Sequence, residues 1–235
     1  MALKSQYVTP LSQKSLDEGS SLQDFDCPKC GLLSPWANEL LSLREQVITD
    51  PLTGLFNIRY FRSALEMEIE RTVRSAIPTS LMMIDLDHFK QVNDERGHEV
   101  GNEVLKLTAR LIKQATRQLD IQCRYGGEEF VVILPSTSLL LAGQVAERLR
   151  QQIESSEIVT EQGSFKVTAS IGLSVRLAHE YGGVSDLINA ADDCLYQAKS
   201  LGRNKVFFPS IEREETAVSG YEKAALMGMF SDYQD

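Results

Sequence analysis

Gln122-Cys123-Arg124-Tyr125-Gly126-Gly127-Glu128-Glu129-Phe130-Val131-Val132-Ile133-Leu134 is the stretch on which the fold turns. Residues 122–125 and 129–134 read as two strands, and the Gly-Gly pair between them reads as a tight antiparallel turn. Adjacent glycines permit positive φ and leave room for a bulky ligand against bare backbone. Side chains alternate faces along a strand, so one of Glu128 and Glu129 must point at whatever occupies the turn. Taken alone, the same hairpin is equally a solvated turn with ordinary surface charge.

Upstream, Leu81-Met82-Met83-Ile84 is a continuous apolar run closing on Asp85, the pattern of a buried strand. A carboxylate at the end of such a strand is costly unless something compensates it. In Asp85-Leu86-Asp87-His88-Phe89-Lys90, followed by Asn93-Asp94, a hard divalent cation would do so. Such an ion takes carboxylates, a backbone carbonyl and phosphate oxygens as ligands. Helix capping accounts for one Asp, not for both together with Lys90 and Asn93. If this strand lies beside the hairpin, Asp85 and Glu128 can share the cation.

Further out, residues 58–74 form an amphipathic helix with Phe61, Leu65 and Ile69 inward. Residues 99–119, 138–155 and 184–201 read as helices, and 165–176 and 205–208 as strands. The order describes an α+β domain over 50–209, a mostly antiparallel central sheet flanked by helices. Before it come an irregular segment, 1–33, and a short N-terminal stalk helix, 34–49. Ser34 and Pro35 suit the start of that helix, and Trp36, Leu40, Leu43 and Val47 follow the 4-3-4 rhythm of a coiled-coil seam. The stalk either packs on its own domain or pairs two chains with help from other contacts. A charged tail, 210–235, follows.

The net charge of −9 offers no basic footprint for duplex nucleic acid. No apolar run approaches the roughly 18 residues of a membrane span, and the N-terminus lacks a signal-peptide core. Cys27, Cys30, Cys123 and Cys194 form no disulfide framework, which suits a reducing cytoplasm. The Cys27/Cys30 pair supplies two of the roughly four ligands of a structural zinc site. Cys123 and Cys194 read as packed small hydrophobes.

Together these stretches resemble the GGDEF family of diguanylate cyclases, whose fold is palm-like, of the ferredoxin or nucleotidyl-cyclase kind. Gly126-Gly127-Glu128-Glu129-Phe130 is similar to the Glu variant of the name-giving motif, GGEEF. The likeness begins at Asp50-Pro51-Leu52-Thr53-Gly54-Leu55 and includes the Asp85–Asp94 stretch and Gly97-His98-Glu99-Val100-Gly101-Asn102. It continues through Ser170-Ile171-Gly172, Ala191-Asp192, Leu195-Tyr196-Gln197-Ala198-Lys199 and Gly202-Arg203-Asn204, covering about residues 50–208. It implies condensation of two GTP into cyclic di-GMP with two pyrophosphates, using Mg²⁺ (Mn²⁺ substituting), across a homodimer. The setting implied is cyclic di-GMP signalling of the kind that governs biofilms.

By that resemblance Asp85, the Leu86 carbonyl and Glu128 hold metal, Glu129 completes a second metal site, and Glu128 or Glu129 accepts the 3′-hydroxyl proton. Lys90, Lys199 and Arg203 become phosphate contacts, with Lys199 and Arg203 four apart on one helical face. Asn93 resembles the guanine contact, His98 lines the sugar or base, and Gly126 and Gly127 make room for the nucleotide. Asn102 departs from the family pattern, where Asp is usual; an amide accepts and donates where a carboxylate accepts twice. Arg117-Gln118-Leu119-Asp120 is similar to the RxxD motif of product inhibition, with Arg148 as a second arm. With no sensory domain ahead of it, the chain is expected to dimerise through the stalk with a regulatory protein partner. A degenerate module that binds GTP or cyclic di-GMP without turnover is the rival reading; the intact set of carboxylates, glycines and cations argues for turnover.

Overall fold

A computed structural model describes residues 48–160, 163–180 and 182–209. The stalk positions Trp36, Leu40, Leu43 and Val47, the Cys27/Cys30 pair and the tail 210–235 lie outside the described residues. The unit described below begins at Thr49.

The chain runs β1 (Phe56–Asn57), α1 (Ile58–Ser75), β2 (Thr79–Leu86), α2 (Phe89–Arg96), α3 (His98–Ala115), β3 (Ile121–Arg124), β4 (Glu129–Leu134), α4 (Leu139–Ser155), β5 (Ile158–Thr160), β6 (Gly163–Phe165), β7 (Ala169–Arg176), α5 (Val184–Ser200) and β8 (Val206–Phe207). Asn57 starts α1 because its side chain accepts from the backbone N–H groups of Arg59 and Tyr60. The central sheet has the order β1-β3-β4-β2-β7-β8, and β5 and β6 pair apart from it. Its four inner strands are antiparallel, as the sequence predicts. Both edges are parallel, β1 with β3 and β8 with β7, so the sheet is mixed.

Both faces of the sheet are covered. Met82, Ile84, Phe130, Val132, Ile171 and Leu173 pack under α3 and α4. Leu81, Met83, Val131 and Ile133 pack under Phe61 and Leu65 of α1 and Leu187, Ala191 and Leu195 of α5. Burial on both faces is why β2 shows no polar alternation in the sequence. The same parity decides the site: Asp85 follows Leu81 and Met83 onto the α1/α5 face.

Several boundaries differ from the sequence expectation. α3 ends at Ala115 rather than at 119, because Thr116 is extended and the Asp120 carboxylate captures the Arg117 N–H at 2.6 Å. α2 is a helix that periodicity does not reveal, since Phe89 is its one buried residue. α5 stops at Ser200, and Gly202, Arg203 and Asn204 all have positive φ. Lys199 and Arg203 therefore do not share a helical face; Arg203 lies in the loop beyond. Ile69 is partly buried where Phe61 and Leu65 are fully so. Cys123 and Cys194 are free and buried as expected, and burial pushes the Cys123 thiol up to about 12.

Candidate active site

The Gly-Gly tip is wider than a two-residue turn. The backbone N–H groups of Tyr125 and Gly126 both donate to the Glu129 carbonyl, at 2.8 and 3.2 Å, and neither Gly126 nor Gly127 has positive φ. A Cβ at 126 would sit 2.4 Å from Glu129 Oε2, so any side chain there would displace the end of the Glu129 side chain. A Cβ on Gly127 would meet nothing, so that residue borders an opening.

Across the ladder, Glu129 lies directly opposite Asp85, and Ser170 flanks Asp85 on its other side. Directly opposed residues bring their Cβ atoms to about 4.5–5.5 Å. The Leu86 N–H points at the Glu128 carbonyl at 3.4 Å, which fixes the second glutamate beside the end of β2. Lys199, from the last turn of α5, places Nζ 2.8 Å from Asp85 Oδ2. This contact follows from strand parity, because Asp85 faces the layer that contains α5.

Charge in this cluster is unbalanced. Burial raises the pKa of Asp85 above its usual range; Lys199 and Arg203 oppose the shift and Asp87 adds to it. Glu128 is raised by burial, then by Asp85 and Glu129, with Lys199 opposing. Glu129 is raised by burial, then by Asp85 and Asp192, again against Lys199. Three carboxylates thus crowd one close ammonium, and each holds its negative charge at a cost. Oxygen donors at the end of a strand and under-compensated negative charge fit a hard divalent cation. Among the described residues no group of three His, Cys, Asp or Glu is already arranged as a metal cage. Lys199 instead lies against the carboxylate that faces it.

Asp87, two residues on, is a different kind of carboxylate. It is buried and accepts from Ser170 Oγ and Thr168 Oγ1, each at 2.7 Å, and from the Asn204 N–H at 3.0 Å. These bonds fasten the end of β2 to β7 and to the loop after α5. Arg124 does comparable work at the hairpin: it donates to the Gly126 and Gly127 carbonyls and pairs with Asp50, which also accepts from Thr53. Sequence reading gave neither bond network; both span dozens of residues.

The remaining predicted contacts are spread around this centre. Asn93, in the middle of α2, rests its Oδ1 against Gly101, where a Cβ would be 2.0 Å away. His98 and Asn102, on the first turns of α3, line a cavity of about 780 Å³ together with Arg96, Lys106 and Ile158. Asp85, Glu128 and Glu129 are not among its lining residues. Lys90 is exposed on the first turn of α2.

The family model described as diguanylate cyclase, GGDEF domain, matches residues 47–205. The chain belongs to this family. It is 42% identical over 171 residues to the response regulator PleD of Caulobacter vibrioides, which covers 72% of this chain and 37% of PleD. It is 39% identical to the diguanylate cyclase DgcP of Pseudomonas aeruginosa, over 69% of this chain and 24% of DgcP. The chain therefore spans well under half the length of either relative. Among solved structures it is similar to the diguanylate cyclase SiaD of P. aeruginosa with its activator SiaC. There the TM-score is 0.68 and the identity 40%, covering 74% of this chain and 66% of that one. It is also similar to the coiled coil and GGDEF domain of DgcB from Caulobacter crescentus bound to c-di-GMP. The TM-score is 0.70 and the identity 27%, covering 74% and 92%.

A second polar pocket in this GGDEF domain lies at the end of the β3–β4 hairpin away from the glycine tip, beside Asp120 and Leu134. Arg117, Asp120 and Arg148 line a cavity of about 180 Å³ with Thr137 and Gln144. Arg117 and Asp120 sit in a turn past α3 rather than on a helix, and Arg148 Nη2 donates to the Ala115 carbonyl at 2.6 Å. Burial raises the Asp120 pKa against the Arg117 N–H and guanidinium. Among the described residues no helix is long and apolar enough to cross a membrane.

Proposed function

We propose that the chain is a diguanylate cyclase, condensing two GTP into cyclic di-GMP with release of two pyrophosphates. The observation that carries the reading is the pairing of Asp85 with Glu129 across the ladder, beside Glu128 and against Lys199. Asp85, the Leu86 carbonyl, Glu128 and Glu129 would hold Mg²⁺, or Mn²⁺ in its place. The ion, when bound, neutralises phosphate charge and lowers the pKa of the attacking hydroxyl.

The protein's own residues do the rest. Glu128 or Glu129, each with a raised pKa, accepts the 3′-hydroxyl proton as the oxygen attacks the α-phosphorus of the opposing GTP. The new O–P bond forms as the bond to the β-phosphate oxygen breaks, and pyrophosphate departs. Lys199, Arg203 and Lys90 hold the β- and γ-phosphates. The glycines at 126 and 127 admit the nucleotide, and Asn93, His98 and Asn102 face its guanosine end. The reaction runs twice, once from each half of a homodimer, in the cytoplasm, where GTP is made. Product bound at Arg117, Asp120 and Arg148 inhibits; arginine pairs bidentately with guanine O6 and N7 while Asp120 accepts from its edge. By analogy with SiaD and its activator, a regulatory protein acts through residues 34–49.

Incubation of the full chain with GTP and Mg²⁺ should give cyclic di-GMP and two pyrophosphates by chromatography. Glu129→Ala should lose activity by about 10²-fold or more, and EDTA should abolish it. GTP bound without any cyclic dinucleotide formed would leave a receptor module rather than an enzyme.

A further inference from the structure

Arg203 lies in a loop of unusual backbone: Gly202, Arg203 and Asn204 have φ of 107°, 61° and 45°. Glycine takes that region freely and asparagine tolerates it, but arginine rarely visits it. Such a conformation persists where its surroundings impose it. Here they do so from two sides. The Asn204 N–H donates to Asp87 Oδ2 at 3.0 Å, and Asp87 is itself fixed by Ser170 and Thr168. The Asn204 side chain meets α4: its Oδ1 accepts from Arg150 Nη1 and its Nδ2 donates to Glu154 Oε1, both at 2.7 Å. Arg150 is held in turn by Glu147 at 2.7 Å and Glu154 at 2.8 Å. Asn204 is thus bonded at its backbone to the β2–β7 junction and at its side chain to a helix from the other layer. Arg203, the residue before it, is held at the end of α5 by its own N–H, which donates to the Ala198 carbonyl at 3.1 Å next to Lys199, and its charge opposes the rise in the Asp85 pKa.

We infer that Asn204 is a positioning residue for Arg203, clamped by Asp87 on one side and by the Arg150–Glu154 pair on the other, and that this clamp sets the grip on the triphosphate end of the substrate. The inference rests on the reading of Arg203 as a phosphate contact. It also gives a role to the buried Asp87, which the chemistry leaves unused. Asparagine suits the position on two counts, since its amide both accepts and donates and its backbone tolerates positive φ.

The test compares two nucleotides on the full chain with Mg²⁺: 3′-deoxy-GTP, which lacks the attacking hydroxyl and is not turned over, and GMP. Asn204→Ala should weaken 3′-deoxy-GTP binding about tenfold, the scale of losing a fixed charged contact. GMP binding should stay within about twofold, since its contacts lie away from the loop. Arg203→Ala should show the same selectivity, and the double variant should bind no more weakly than Arg203→Ala alone. Because Asn204→Ala could fail to fold, exposed Glu154 offers a second probe. Glu154→Leu should lose about threefold for 3′-deoxy-GTP alone, and Glu154→Gln, which keeps the acceptor, should stay near wild type. Equal loss for both nucleotides in Asn204→Ala, or none for either, overturns the positioning role. If Arg203→Ala itself fails to separate them, the phosphate reading fails and takes the inference with it.

Discussion

Asp50 shows how far a single carboxylate reaches. Burial alone would raise its pKa, but bonds from Thr53 and pairing with Arg124 overcome this and hold it below the ordinary 3.8. A depressed value means that the folded state binds the proton less readily than the unfolded chain. The stabilisation is therefore complete above the unfolded-state value and is lost as pH falls through the lower, folded-state value. Asp50→Asn should cost about 1–2 kcal/mol near neutrality, and the difference from wild type should shrink below about pH 4 in denaturant titrations. A difference unchanged at low pH would remove the ionic part of this account. Asn102 makes a second test at the same scale: Asn102→Asp should sharpen preference for GTP over ATP, measured as the ratio of kcat/KM, by about tenfold or more. An unchanged ratio would take Asn102 out of the base contact. What the sequence hid at this scale was long-range bonding. Asp85 and Asp87 stand in one motif, yet one faces Glu129 and Lys199, and the other is consumed by Ser170, Thr168 and the Asn204 N–H. Likewise the Gly126-Gly127 pair suggests both positive φ and room for a ligand; neither glycine has positive φ, and an added Cβ at 126 would displace only the end of the Glu129 side chain.

Elements meet at fixed distances, and Gly172 sets the one that matters most here. A Cβ at Gly172 would lie 2.2 Å from the Leu195 nitrogen and 2.3 Å from the Ala191 carbonyl, both backbone atoms of α5. With no side chain at 172, α5 settles directly on β7, and its last turn delivers Lys199 to Asp85. Gly172→Ala should destabilise by about 1–3 kcal/mol or more, because helix backbone cannot yield as a side chain can. Gly143 is the control: its added Cβ would approach the Phe208 ring at 3.1 Å, and a side-chain ring can turn aside. Gly143→Ala should stay within about 1 kcal/mol of wild type in the same thermal or urea unfolding. Equal losses would show that helix-to-sheet distance is not what Gly172 protects. The elements most legible in the sequence were those whose burial pattern is extreme: β2, buried along its whole length, and α1, with Phe61 and Leu65 at zero exposure. Those it missed were set by few contacts, as with α2 and its single buried Phe89, or by a two-residue edge pairing such as β1 with β3. The end of α5 fell in between, since Gly202 marks a stop but nothing local predicts three successive residues of positive φ.

At the scale of the whole molecule, the decisive quantity is stoichiometry. Each domain presents one carboxylate cluster, and the proposed product joins two identical nucleotides by two identical bonds. The homodimer proposed above would satisfy both, with two domains facing each other about a two-fold axis. Each half of that dimer would supply the nucleophile for one bond and the activated phosphate for the other, so a half unable to hold its nucleotide would disable the pair. Two tests follow from this symmetry. Specific activity should rise with protein concentration, and a chain beginning at Thr49 should need more protein to reach the same rate if residues 34–49 pair the domains. Asp85→Asn, inactive by itself, should also poison wild type. After equilibration with a tenfold excess of the variant, random pairing leaves about one wild-type chain in eleven beside another, so activity should fall by roughly that factor. Activity unaffected by the excess would mean that one chain completes both bonds alone. Facing domains would then have no part in the chemistry, however well Asp85, Glu129 and Lys199 are placed within each.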